Sequence, residues 1–162
     1  FTSISEKLEP EEVVNLLNKY LDIQTEVIQS HGGDIDKFIG DAVLAVFEGD
    51  EMADNAVDCA IDIQLEINKL NQKLGGNTMF GIGINSGPVV MGPIGSKDRM
   101  DYTVIGDNVN LAARLCDAAG AGEIIISENT KKNLTQAKFN LKEKDPFKVK
   151  GKEKPVTIYR VE

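Results

Sequence analysis

Residues 99–114 read R-M-D-Y-T-V-I-G-D-N-V-N-L-A-A-R. The first half is rich in β-favouring side chains, the run breaks at Gly106-Asp107, and the second half has helical spacing. Asn110 and Arg114 are four positions apart, so a helix presents both on one face. Asp107 is placed to act as its N-cap. Val109, Ala112, Ala113, Cys116 and Ala119 form a neighbouring apolar stripe, small enough to let the helix sit close to a sheet. The planar fork of an arginine suits phosphate oxygens. An isolated helix arginine more often ends in a salt bridge of little energetic weight, so the surrounding pattern must decide between the two.

On the N-terminal side, L-E-P-E-E at 8–12 has the proline and acids of a helix entry. Val13, Leu16, Leu17, Tyr20, Leu21, Gln24, Val27 and Ile28 supply an apolar stripe that the Gly32-Gly33 pair should end. Residues 34–47 predict two short strands meeting at Gly40-Asp41, with Asp41 at the hairpin tip. Ala53, Ala56, Val57, Ala60, Ile61, Ile67, Leu70 and Leu74 mark a second long helix stopped by Gly75-Gly76. Residues 79–86 alternate, with Phe80, Ile82 and Ile84 on one face and Gly81 and Gly83 on the other. That bare backbone marks either a bulge or a place where a partner subunit or nucleotide approaches. A short strand is expected at 89–91 and a polar loop at 95–98.

Beyond Arg114, residues 123–126 read as a strand and Ser127-Glu128-Asn129 as the cap of a short helix reaching Leu134. Residues 139–150 and 156–161 read as a closing hairpin. Three longer helices among these strands predict an α+β fold, with helices packed on one face of a largely antiparallel sheet, in a single domain over 1–162.

The formal charge of −8 and a pI near 4.7 argue against nucleic acid as a partner, since that binding needs a basic face. Nine of the 18 lysines and arginines nevertheless fall between Lys131 and Lys154. That run is either a local positive field for a polyphosphate or a solvated charged hairpin. Cys59 and Cys116 lie on expected helix faces, which fits two small core residues in a reducing compartment. The only histidine, His31, has no cysteine or second histidine near it in sequence and is a poor metal ligand. No apolar run of membrane-spanning length and no signal-peptide pattern occurs, so a cytoplasmic segment is expected, including the cytosolic part of a membrane-attached protein.

The stretch at 99–114, together with D-K-F-I-G-D at 36–41, resembles the signature of class III nucleotidyl cyclases, which convert ATP or GTP to a cyclic mononucleotide and pyrophosphate. The resemblance covers nearly the whole chain. It implies a ferredoxin-like cyclase fold and, residue by residue, a site. Asp41 matches a metal carboxylate, in a pattern where two divalent cations, Mg2+ or Mn2+, serve the reaction. Lys37 matches the adenine-contacting lysine and Thr103 its partner at the base edge. That pair is associated with adenylyl cyclases and hence with ATP. Guanylyl cyclases usually carry glutamate and a small residue such as cysteine instead.

The chemistry of the pair is sound, because a lysine can only donate, as adenine N1 requires, and a threonine hydroxyl can accept from the exocyclic amine. By the same correspondence Asn110 orients the ribose, Arg114 stabilises charge on the α-phosphate, and Lys150, in V-K-G-K, meets the terminal phosphate. Without the resemblance, Lys37 and Thr103 read as exposed strand residues, and Gly40-Asp41 as an ordinary turn.

The family builds two such sites between the protomers of a homodimer. Each chain gives its metal carboxylates to one site and the residues matching Lys37, Thr103, Asn110, Arg114 and Lys150 to the other. Another metal carboxylate stands in the family's first strand, a few residues before the segment matching Phe1-Thr2-Ser3-Ile4-Ser5-Glu6. The chain opens on Phe1, so the expectation is a trimmed domain of a longer protein with upstream regulatory or membrane domains. Two readings stand beside the adenylyl cyclase: a guanylyl cyclase, and a non-catalytic homologue serving dimerisation or nucleotide sensing.

Overall fold

A computed structural model describes residues 8–149 and 151–162, which leaves Lys150 and the F-T-S-I-S-E segment outside the described residues. The described chain divides into two compact units between Phe80 and Gly81.

The first unit holds α1 (Pro10–Ser30), β1 (Asp34–Ile39), β2 (Ala42–Val46) and α2 (Met52–Leu74). Helix α1 starts with proline in its first turn and acids at Glu11 and Glu12, as the sequence predicts. Tyr20, Gln24 and Ile28, one turn apart, are its buried positions. Helix α2 ends at Gly75 in the left-handed conformation, whose N–H reaches Asn71 O. Its buried face is set by Val57, Ala60, Ile63 and Ile67, with Cys59 also buried. Leu74, expected in the stripe, is instead 40% exposed at the helix end.

The two helices also share polar contacts. Asn71 accepts from the Tyr20 hydroxyl at 2.6 Å and donates to Thr78 O at 2.7 Å. Gln64 Nε2 donates to Phe80 O at 2.7 Å. His31 closes α1, and its Nε2 lies 2.7 Å from Asp62 Oδ2 on α2, a structural pairing for the lone histidine. Burial, and secondarily the negative charge of Asp62, push the Cys59 thiol up to about 12.

The second unit holds β3 (Ile82–Ile84), β4 (Val90–Ser96), β5 (Arg99–Ile105), α3 (Asp107–Ala118), β6 (Ile124–Ser127), α4 (Glu128–Asn133), β7 (Leu141–Glu143) and β8 (Ile158–Val161). A four-stranded sheet runs in the order β3-β6-β8-β7. β3 and β6 are parallel, while β6 with β8 and β7 with β8 are antiparallel. Every residue of β6 is buried, which suits its I-I-I-S sequence to a central strand. Leu111 and Leu115 of α3 pack on Ile125 and Ile158, with Phe147, Val149 and Val156 closing over them.

Two expectations change here. The alternating stretch at 79–86 pairs only over β3, and its glycines meet a helix from the same chain rather than a partner. A Cβ on Gly83 would lie 2.3 Å from Cys116 N and 2.7 Å from Leu115 C, so α3 rests directly on that backbone. The strand expected at 89–91 continues to Ser96 and pairs with β5 as far as Ser96–Arg99, reducing the loop to Lys97-Asp98. Glycines and Pro93 masked this strand, and a two-stranded hairpin tolerates a proline because one edge needs no partner.

Candidate active site

In the first unit the antiparallel β1–β2 pair carries the two candidate residues Lys37 and Asp41. Its register steps once, between Ile35 and Lys37, so Asp36 is an extra residue in β1. A bulge of this kind bends a strand and re-aims the side chains after it. Lys37 follows it directly, opposite Leu44, with Nζ 3.6 Å from Asp36 Oδ2 and 44% of its side chain exposed. The pairing ends at Ile39–Ala42, leaving Gly40 and Asp41 as a two-residue turn. Gly40 has φ +61°, and among the described residues none other than glycine has positive φ, so Asp41 does not, which is the pattern of a type II′ turn with glycine first. Asp41 therefore stands exposed at the tip, as expected.

In the second unit Thr103, Asn110 and Arg114 lie on one continuous strand–turn–helix piece. Thr103 of β5 sits opposite Gly92, where an added Cβ would meet nothing within 4 Å. Thr103 is itself buried at 9% exposure, unlike an ordinary surface strand residue. The chain then turns at Gly106, φ +141°, and α3 begins. The N-cap is Gly106, not Asp107. Asp107 occupies the first helical position and no side chain caps the helix. The carboxylate there still complements the helix dipole.

The buried positions of α3 are Leu111 and Leu115, whereas Ala113 of the expected stripe is exposed. Leucine's greater apolar area decides which face turns inward. Asn110 and Arg114 lie on the exposed face one turn apart. Among the described residues no carboxylate lies within ion-pair range of Arg114. The salt bridge that would explain an idle arginine is therefore not made with any of them. Lys150 lies outside the described residues.

Among the described residues no three histidine, cysteine, aspartate or glutamate side chains gather into a metal-binding cluster. Asp41 offers one hard oxygen donor. That suits Mg2+ or Mn2+ in kind, because Mg2+ is commonly held by one or two carboxylates together with substrate phosphates.

Sequence reasoning passed over a polar network beneath the start of α3. Asn85 Nδ2 donates to Asn108 O at 3.0 Å and to Asn108 Oδ1 at 3.1 Å, and Ser127 Oγ donates to Asn85 Oδ1 at 2.7 Å. Its only sequence trace is the pair of asparagines in N-S-G-P at 85–88 and G-D-N-V-N at 106–110. At the far end of α3, Glu123 accepts from Gly120 N and Lys144 Nζ, each at 3.0 Å, with Arg160 at 3.8 Å. Burial works to raise its carboxyl, but the Gly120 N–H, the Lys144 hydrogen bond and the charges of Lys144 and Arg160 outweigh it and hold it below the ordinary value.

Comparison with known proteins identifies the fold and the family. The structure matches the adenylyl cyclase CyaB from P. aeruginosa with a TM-score of 0.89 and 38% identity, over 99% of this chain and 87% of that one. It matches the guanylyl cyclase Cya2 with a TM-score of 0.90 and 40% identity, over 99% of this chain and 85% of that one. A mixed α+β domain with antiparallel strand pairs and covering helices is thus the fold of a nucleotidyl cyclase domain. The chain belongs to the adenylate and guanylate cyclase catalytic domain family, whose model matches residues 1–162.

Among curated proteins, the adenylate cyclase of Anabaena cylindrica is 41% identical over 174 residues, 99% of this chain and 34% of that protein. The terminal-differentiation specific adenylate cyclase of Dictyostelium discoideum is 37% identical over 171 residues, 99% of this chain and 8% of that protein. The chain thus spans about a third of the first relative and under a tenth of the second. Among the described residues no helix is long and apolar enough to cross a membrane.

Proposed function

We propose that residues 1–162 form the catalytic domain of an adenylyl cyclase, which converts ATP to 3′,5′-cyclic AMP and pyrophosphate. The ribose 3′-oxygen loses its proton and forms a bond to the α-phosphorus. The bond from that phosphorus to the α–β bridging oxygen breaks, and pyrophosphate leaves with the electron pair.

The observation that carries this reading is the β5–Gly106–α3 piece. It sets Thr103 just before a helix whose exposed face bears Asn110 and an Arg114 with no carboxylate partner among the described residues. Arg114 stabilises charge gathering on the α-phosphate, and Asn110 orients the ribose. Lys37 donates to adenine N1, and Thr103 accepts from the exocyclic amine. Lys150 meets the terminal phosphate. Asp41 would hold divalent cation together with the substrate phosphates, and bound cations supply charge neutralisation and activation of the attacking oxygen.

Adenylyl and guanylyl cyclases resemble the chain equally well in structure, so the choice of ATP rests on Lys37 and Thr103. The working unit is a homodimer in which each chain contributes Asp41 to one site and its other site residues to the second. By analogy with the longer curated relatives, regulatory domains accompany this one in the whole protein, which works in the cytoplasm, where ATP is available.

The test is cyclic nucleotide formation from ATP and from GTP by the full-length protein, with Mg2+ or Mn2+. Cyclic AMP well above cyclic GMP supports the reading. The reverse preference makes the protein a guanylyl cyclase, and neither product from a verified dimer makes it a non-catalytic homologue.

A further inference from the structure

We infer that Asn85, Asn108 and Ser127 form a clasp that positions the start of α3, and with it Asn110 and Arg114. This inference rests on the cyclase reading for its functional consequence but not for its structural content. With Gly106 as its N-cap, α3 begins without a capping side chain to tie its first turn to the rest of the fold. Val109 N and Asn110 N both reach back to Gly106 O at 3.1 Å, which holds the turn together but ties it to nothing else.

The clasp supplies that tie. Asn85, in the loop after β3, donates through Nδ2 to both oxygens of Asn108, the backbone oxygen and the side-chain oxygen. Asn108 Nδ2 in turn donates to Pro88 O at 2.9 Å. The two amide groups are thus oriented by each other, with both side-chain oxygens accepting and both side-chain nitrogens donating. Gly87 makes room for this, since a Cβ there would lie 2.3 Å from Asn108 Nδ2.

Asn85 is itself anchored. Ser127, the last residue of the buried strand β6, donates to Asn85 Oδ1 at 2.7 Å while accepting from Thr130 N at 3.2 Å as the N-cap of α4. Ser86 and Thr130 add a second link between the same loop and α4, at 2.9 Å between their hydroxyl oxygens. The first turn of α3 is therefore referenced to the rigid centre of the sheet through two asparagines. Asn110 stands two residues after Asn108, and Arg114 one turn further on. Rotation or sliding of that first turn moves both, and a displacement of about 1 Å of a positioning group costs on the order of 100-fold in rate.

The experiment compares wild type, Asn85→Asp and Asn108→Ala in the full-length protein by amide hydrogen exchange and by steady-state kinetics with ATP. Asn85→Asp keeps the shape and the acceptor for Ser127 but loses both donated bonds. Asn108→Ala removes a partly exposed side chain that folding tolerates. The clasp requires exchange at residues 109–113 to quicken by about tenfold or more, while protection in the other helices and strands stays at the wild-type level. It also requires kcat to fall by about 10- to 100-fold, with KM for ATP changing by less than about threefold.

Unchanged exchange at 109–113 in both variants overturns the inference, and so does an unchanged kcat despite faster exchange. A wild-type protein that forms no cyclic nucleotide removes the cyclase reading, and the exchange measurement then decides the clasp by itself.

Discussion

The hydroxyl of Tyr20 donates to Asn71 Oδ1 at 2.6 Å, joining α1 to the last turn of α2 across 51 residues of chain. Both residues are buried, and Asn71 donates through its own Nδ2 to Thr78 O. Tyr20→Phe leaves a buried carbonyl oxygen without that donor. The expected loss is about 1–3 kcal/mol of unfolding free energy, read by denaturant titration. An unchanged midpoint would show that the bond carries no net stability.

Gly83→Ala sets a methyl group against the backbone of α3 rather than against a movable side chain. Overpacking of this kind costs about 1–3 kcal/mol or more. The variant should melt clearly below wild type in a circular dichroism scan. Equal melting temperatures would mean that α3 does not rest on the backbone of β3.

Arg114→Ala should lower kcat by about 100- to 1000-fold, as loss of one charge-stabilising donor does, with a smaller change in KM. Asp41→Ala should abolish metal-dependent turnover. Steady-state assays of cyclic nucleotide against Mg2+ or Mn2+ read both, and full activity in either variant removes that residue from the site.

Lys37→Glu combined with Thr103→Cys should move preference from ATP towards GTP. Glutamate accepts where lysine donates, so the hydrogen-bonding pattern offered to the base is reversed. Competition between the two nucleotides at equal concentration measures the shift, and an unchanged ratio means that these residues do not read the base.

The Glu123 carboxyl is held below its ordinary value of 4.5 in the folded chain. Such a group stabilises the fold above the unfolded-state value, and that contribution is lost as pH falls through the lower folded value. Glu123→Gln should therefore flatten the acid limb of stability below about pH 4.5, in melting curves collected across pH. An acid limb identical to wild type would show that the charges of Lys144 and Arg160 are satisfied elsewhere.

Much of the fold was readable because its elements follow strong local rules. The stripe through Tyr20, Gln24 and Ile28, the glycine stops at Gly32 and Gly75 and the turn at Gly40-Asp41 are each set by nearby residues. The length of β4 was not, because its pairing with β5 is cooperative along the hairpin and overrides the weak strand preference of glycine and proline. The stripe of small residues on α3 does let the helix rest on the backbone of β3 through Ala112 and Cys116, but it includes the exposed Ala113 and omits Leu111 and Leu115, which fill the core. The matched motifs carry the candidate site residues, but they do not carry the Asn85–Asn108 pairing. Its hydrogen bonds join positions 23 apart, and nothing local to either asparagine announces the other.

The extra residue at Asp36 fixes which changes the hairpin can absorb. The odd step in β1 is taken once, before Lys37, and from there to the turn the pairing with β2 runs without interruption. Substitution at 37 exchanges the chemistry of the side chain while keeping its aim. Insertion or deletion of one residue between 37 and the turn would instead reverse the strand's sides and part Lys37 from Asp41. A point substitution can therefore change what position 37 presents without moving it, whereas a change in the hairpin's length cannot.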